Sequence, residues 1–316
     1  MRLLVTGGAG YIGGVTAALL LDRGHEVVVF DSLATGYSDA VPAGATFVEG
    51  DLLVDGALDA VFDRPYDGVL HFAARALVGE SVDKPDLYFR TNVVGTLNLL
   101  DAMRSHDVSR IVFSSTAATY GEPESVPIRE DAVTRPTNPY GASKLAVDSV
   151  LRSYAPAYGL AAVSLRYFNV AGAYGAARER HDPETHLIPN LLRAARGEGG
   201  EFTLHGTDYP TPDGTCIRDY VHVEDLAEAH LLALSAAVPG EHRIYNLGSG
   251  SGYSVREVLA EVERVTGRTV PIVEGPRRAG DPARLVAASD KMTTELGWTR
   301  NRSLEDMVGD AWTALR

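Results

Sequence analysis

The 316 residues, 45% hydrophobic and 22% charged, suffice for one large core or two modest ones, and the formal net charge of −13 disfavours nonspecific nucleic-acid binding, which depends on clustered Lys and Arg. Met1-Arg2-Leu3-Leu4-Val5 runs straight into a glycine-rich turn with no room for a signal peptide, and no apolar run approaches the roughly 20 residues that span a bilayer, so a soluble, cytoplasmic chain without a membrane partner is expected. Cys216 is the single cysteine, which excludes an intramolecular disulfide, and it is given a structural role; no metal site is assigned.

Along the first half, short apolar runs alternate with longer amphipathic stretches, the pattern of βαβ units and a parallel sheet. Strands are predicted over 3–5, 27–30, 68–71, 110–114 and 162–166, with helices over 12–23, 87–106 and 141–158. The fold class that follows is α/β, a doubly wound parallel sheet over residues 1–175, with a smaller mixed α/β lobe over 176–316. In that second part the pattern loosens around Pro183, Pro189, Pro210, Pro212, Pro276 and Pro282, while 221–234 and 255–266 read as helices. Residues 221–250 are expected to pack back on the first domain. The apolar faces over 87–103 and 143–154 fit internal core and a dimer surface equally well.

Thr6-Gly7-Gly8-Ala9-Gly10-Tyr11-Ile12-Gly13 follows the first strand and opens the first helix. Glycines at 7, 10 and 13 permit a tight turn, close approach of backbone N–H groups to a pyrophosphate, and close packing of helix on strand. Asp31 ends the second strand, where a carboxylate accepts hydrogen bonds from an adenine ribose and repels a 2′-phosphate, so NAD is expected rather than NADP. Asp51-Leu52 and Phe72-Ala73-Ala74 each follow a strand, at the sheet edge where ligands collect in open α/β folds.

Tyr140 and Lys144 lie four apart on the helix after Asn138-Pro139 and so share a face. A cation there is expected to lower the tyrosine pKa from roughly 10 and make Tyr140 a general base. Ser114-Ser115-Thr116 brings hydroxyls to the end of the fourth strong strand, with Thr116 placed to hydrogen-bond a reacting oxygen opposite Tyr140.

On these residues the chain resembles the extended short-chain dehydrogenase/reductase family, whose Rossmann-type fold carries a Ser or Thr, a Tyr and a Lys around NAD. It is similar in particular to the UDP-hexose 4-epimerase branch. The matching stretches are His71-Phe72-Ala73-Ala74, Val78-Gly79-Glu80-Ser81, Asn92 with Gly95-Thr96, and Leu165-Arg166-Tyr167-Phe168-Asn169. Further on come Asp208-Tyr209-Pro210-Thr211, Asp213-Gly214-Thr215, Arg218-Asp219-Tyr220-Val221-His222-Val223, and Arg277-Arg278 with Gly280-Asp281. The resemblance implies cofactor contacts from Asn92, Ser114 and Tyr167 besides those above, and substrate contacts from Thr116, Tyr140, Asn169, His186, Leu187 and Asp281.

Arg218 and Arg278 are the natural clamps for a diphosphate, since guanidinium forks match phosphate oxygens. The implied partners are therefore a UDP-sugar, NAD and a second copy of the chain. The implied reaction is reversible epimerisation at C4 through a 4-keto sugar. Sister 4,6-dehydratases need carboxylates after the catalytic hydroxyl, where this chain has Ala117-Ala118. A binding-only NAD sensor would lack the Tyr or the Lys. Arg75 stands where many relatives carry Lys, His186 where an amide is frequent, and Leu285 near a position tied to admission of N-acetylated sugars.

Overall fold

A computed structural model describes residues 1–278 and 281–315, so Gly280 lies outside the described residues. Its centre is a sheet of seven strands: β1 Arg2–Thr6, β2 Glu26–Asp31, β3 Thr46–Glu49, β4 Gly68–His71, β5 Arg110–Thr116, β6 Ala161–Tyr167, and His242–Leu247. All six pairings are parallel. The spatial order is His242–Leu247, β6, β5, β4, β1, β2, β3, so the chain starts mid-sheet, winds outward one way, then returns to wind the other. Crossovers leaving β1 and β4 in opposite directions open a crevice at their carboxyl ends, the usual ligand position of a doubly wound sheet.

The strands are apolar on both faces because both faces are covered. Helices Tyr11–Asp22 and Val223–Ser235 bury Ala17, Leu20, Leu226, Ala229 and Ala233 against one face. On the other, helices Gly95–Ser105 and Pro139–Tyr158 bury Leu99, Met103, Val147 and Leu151. A separate apolar cluster joins helices Leu187–Ala195, Val255–Thr266 and Leu304–Ala314 through Ile188, Leu191, Val258, Val262, Met307 and Val308. Among the described residues no helix is long and apolar enough to cross a membrane.

Two predicted helices differ. The stretch read as one helix over 87–106 is a short helix Pro85–Tyr88, a π-helical segment Phe89–Val94, and the helix Gly95–Ser105. The wider turn presents Asn92, whose Nδ2 donates to the Arg75 carbonyl (3.1 Å) and to Ser143 Oγ (2.9 Å) while its Oδ1 accepts the Arg75 N–H (2.8 Å). The helix read over 221–234 is preceded by a strand, Tyr220–His222, paired in parallel with Asn169–Ala171. His222 then caps the helix, its Nδ1 accepting the Glu224 N–H at 3.1 Å.

One ion pair is sealed between β6 and the Pro139–Tyr158 helix. Arg166 donates to Asp148 Oδ2 from Nη2 (2.8 Å) and Nε (3.1 Å), with the two side chains 2% and 0% exposed. Removing one partner leaves the other charge buried alone. Arg166→Leu should therefore lower unfolding free energy by about 3–5 kcal/mol, read as a shift of the urea midpoint; a shift below about 1 kcal/mol would contradict this reading of the pair.

Candidate active site

The turn after β1 is built by what its glycines lack. Gly7 sits at φ +76°, and a Cβ there would meet the Ala73 nitrogen at 2.4 Å; a Cβ on Gly13 would meet the Gly7 carbonyl oxygen at 2.2 Å. These contacts press the turn against the end of β4 and the helix against the turn. The N–H groups of the first helical turn are left facing the crevice, as helix starts present them. Tyr11 ties this helix to the segment that follows β6, its hydroxyl donating to the Gly172 carbonyl (2.7 Å), and Ile12 packs on the core.

Asp31 ends β2 with Oδ2 accepting the Ala9 N–H (3.0 Å) and Oδ1 the Leu33 N–H (2.8 Å). Burial raises its pKa, and those two N–H groups partly offset the rise. Glycines that a Cβ would fill, a carboxylate beside them, and small Ala73 and Ala74 along the edge form a cradle that fits an adenine dinucleotide with an unmodified ribose. Asp51 turns back to accept the Leu53 N–H (2.9 Å), and the Leu52 side chain goes into the core. Phe72 packs against the His230 ring at 4.6 Å.

His71, at the tip of β4, is a tie between elements. Its Nδ1 meets Thr6 Oγ1 (2.6 Å) and its Nε2 meets Thr96 Oγ1 (2.8 Å). Thr96 already donates its hydroxyl proton to the Asn92 carbonyl (2.6 Å), so Nε2 carries the imidazole proton. Burial pushes the ring's pKa down to about 3, keeping it neutral.

Thr116, Tyr140 and Lys144 converge at the end of β5. Asn138 caps the helix by accepting the Gly141 N–H (2.9 Å), and Pro139 occupies its first turn. A Cβ on Gly141 would meet the Ala118 carbonyl oxygen at 2.5 Å, so glycine lets this turn lie on the Ala117–Thr119 turn that follows Thr116. The Tyr140 hydroxyl thereby lies beside the Thr116 side chain, near enough for Thr116 to ease the cost of its ionisation. Sequence reasoning missed Gly141, although a glycine next to Tyr140 at a helix start is a legible signal of close approach.

Lys144 is 3% exposed, its Nζ donating to the Ser114 carbonyl (2.8 Å) and lying 4.7 Å from the centre of the Phe113 ring. Burial lowers its pKa to about 7, against the opposing pull of Asp148. The expectation that this cation lowers the Tyr140 pKa is corrected: burial raises it, and Thr116 offsets only part. The physical reason is that desolvation of the phenol outweighs the stabilisation that its neighbours give the phenolate. Ser114 Oγ bonds the Tyr167 hydroxyl, and burial raises that phenol too.

On the substrate side the structure brings Arg218 and Asp281 together, Nη2 to Oδ1 at 3.3 Å, with Arg218 Nη1 also donating to the Ile217 (3.0 Å) and Pro282 (2.9 Å) carbonyls. Arg278 is exposed. Asn169 donates from Nδ2 to the Asp219 carbonyl (2.9 Å). Leu187 starts its helix, and Leu285 is half-buried in the strand Arg284–Leu285. The Nδ1 of His186 lies 2.9 Å from both Glu179 Oε1 and Glu184 Oε1. Burial works against its charge, but the two carboxylates hold its pKa up to about 10.

Lys144 yields a prediction. Its folded pKa of about 7 lies below the ordinary 10.5, so the folded state carries an electrostatic penalty that is full below pH 7, declines as pH rises, and is gone above 10.5. In cofactor-free protein, the urea-midpoint difference between Lys144→Met and the parent should favour the variant most at or below pH 7 and shrink towards pH 10.5, superimposed on a pH-independent loss from the unpaired Ser114 carbonyl; a flat difference would contradict the buried-amine assignment.

The geometry has known counterparts. The family model described as "NAD dependent epimerase/dehydratase family" matches residues 3–248. A UDP-glucose 4-epimerase of Corynebacterium glutamicum is 56% identical over 99% of this chain and 95% of its own. The crystal structure of UDP-glucose 4-epimerase from Brucella ovis in complex with NAD superimposes with a TM-score of 0.94 at 46% identity, covering 99% of this chain and 97% of that one. The Bifidobacterium longum enzyme of the same name, in complex with NAD+ and UDP, gives 0.92 at 37% identity, covering 99% and 98%. The turn at Gly7–Gly13, the doubly wound sheet and these matches together place the chain in the NAD dependent epimerase/dehydratase family.

Proposed function

We propose that this chain interconverts UDP-glucose and UDP-galactose by inverting C4 of the hexose through a 4-keto sugar, with NAD retained between turnovers. The observation that carries the reading is the Thr116–Tyr140 hydroxyl pair beside a buried lysine at the carboxyl edge of β5. When bound, NAD would supply the hydride acceptor and donor for C4 and, in its oxidised form, a positive charge. Tyr140 takes the O4 proton and returns it, Thr116 holds O4 in line, and Lys144, bonded to the Ser114 carbonyl, fixes the helix that carries Tyr140. Because burial disfavours the Tyr140 phenolate, proton transfer at neutral pH calls for positive charge brought by a bound ligand.

Gly7 and Gly10 shape the turn, whose own N–H groups bond the Phe30 and Gly7 carbonyls, the helix start at Tyr11, Ile12 and Gly13 takes the pyrophosphate, Asp31 the adenine ribose, and Asp51, Leu52, Phe72, Ala73 and Ala74 line the rest of the cleft. Asn92 and Ser114 act by fixing Arg75, Ser143 and Tyr167 around it. Arg218 and Arg278 clamp the substrate diphosphate, Asp281 the uridine ribose, and Asn169 with Leu187 the nucleotide sugar. Ala117 and Ala118 offer no carboxylate beside Thr116, which favours epimerisation over elimination of water. Exposed Val82, Phe89, Val94 and Tyr158, on the segments flanking the site, support a homodimer, and the protein works in the cytoplasm.

Purified protein given UDP-galactose without added cofactor should produce UDP-glucose. Tyr140→Phe should lower turnover by roughly 10²–10⁴-fold while its NAD content stays that of the parent. Activity that requires stoichiometric NADH would sink the reading.

A further inference from the structure

Beside the cofactor cleft, four potential metal ligands meet on one loop. Glu179, His181, Glu184 and His186 fall within eight residues, and their ligating atoms all lie within 4.8 Å of one another. His181 Nδ1 is 3.0 Å from Glu179 Oε1, and His186 Nδ1 is 2.9 Å from the Oε1 atoms of Glu179 and Glu184. The two carboxylate side chains are only 8% and 5% exposed. Among the described residues no lysine or arginine pairs with either. Arg180, between them in the chain, turns away to make two hydrogen bonds to Asp39 (3.0 and 2.7 Å) and to stack 4.2 Å over Tyr37.

We propose that Glu179, His181, Glu184 and His186 form a structural site for one divalent cation of the zinc class. The donor set of two imidazole nitrogens and two carboxylate oxygens suits Zn²⁺, whereas Ca²⁺ and Mg²⁺ want oxygen donors. Tetrahedral bonds of about 2.0–2.1 Å place donors roughly 3.3 Å apart. The short contacts need to open by only a few tenths of an ångström, and the widest to close. The donor set is already preorganised: Glu184 Oε1 accepts the Thr185 and His186 N–H groups (2.8 Å each), and both carboxylates face histidine rings, so a dication would take over a compensation that His186 now provides. The site's place in the fold gives it a task. The loop runs from the second lobe to the turn after Asp31, where Tyr37 donates its hydroxyl to the Arg180 carbonyl (3.0 Å), so a cation here clips the loop over the cofactor cleft. This inference is independent of the proposed reaction.

The test uses NAD-loaded protein stripped with a chelator and titrated calorimetrically with ZnCl₂, CaCl₂ or MgCl₂. One equivalent of Zn²⁺ should bind at least roughly tenfold more tightly than the other two ions, and His181→Ala and Glu179→Gln should each weaken it by roughly 10–100-fold or more. His205→Ala, a histidine outside the cluster, should leave binding as in the parent. Anomalous scattering at the zinc edge from crystals should place the ion between the four side chains, which keeps the test decisive if a variant fails to fold. Absence of one-equivalent binding, undiminished binding in both variants, or an anomalous peak elsewhere would overturn the proposal.

Discussion

The ammonium of Lys144, sealed under the end of β5 and bonded to the Ser114 carbonyl, is the contact on which the candidate site depends. It fixes the Pro139–Tyr158 helix to the strand that carries Thr116, one helical turn from where Tyr140 must stand. Gly141 completes the lock, because only a residue without a Cβ lets the helix start lie on the Ala118 carbonyl. The same burial has an electrostatic cost. Both the lysine and the phenol are pushed toward their neutral forms. A site strained in this way is poised to respond to positive charge brought by a ligand, and is a poor base without it.

The rest of the fold exists to hold a ligand against that lock. Gly7 against Ala73 and Gly13 against the Gly7 carbonyl draw β1, β4 and the first helix to backbone contact. His71, neutral and bonded at both nitrogens, joins β1, β4 and the helix that follows Asn92. Asn92 in turn grips the loop at Arg75 and the catalytic helix at Ser143. The ends of β1 and β4 and the Pro139–Tyr158 helix are thus joined by one chain of hydrogen bonds.

Strands buried on both faces were legible because they read as unbroken apolar runs, and the glycine turn because its spacing sits between a strand and a helix. The strand ends were less so: Asp31 and Thr116 still pair in the ladder although they are polar, since their chemistry lies at the sheet's edge. The π-helical turn at Asn92 was hidden, because the bonds that stabilise it are to Arg75 and Ser143, distant in the chain. The rise in the Tyr140 pKa was equally invisible, as a four-residue spacing tells of a shared helix face and nothing of desolvation. Glu179, His181, Glu184 and His186 lie in a proline-bearing loop without period, so their convergence needed coordinates.

The central claim is that proton and hydride leave and return to one C4–O4 unit in a cleft closed to water. Incubating the protein with UDP-galactose in D₂O and reading the C4 position of the UDP-glucose formed tests it most directly. The account predicts that C4 keeps its original hydrogen with no deuterium incorporated. Deuterium at C4 in proportion to turnover would contradict it, showing that inversion proceeds by proton exchange with solvent.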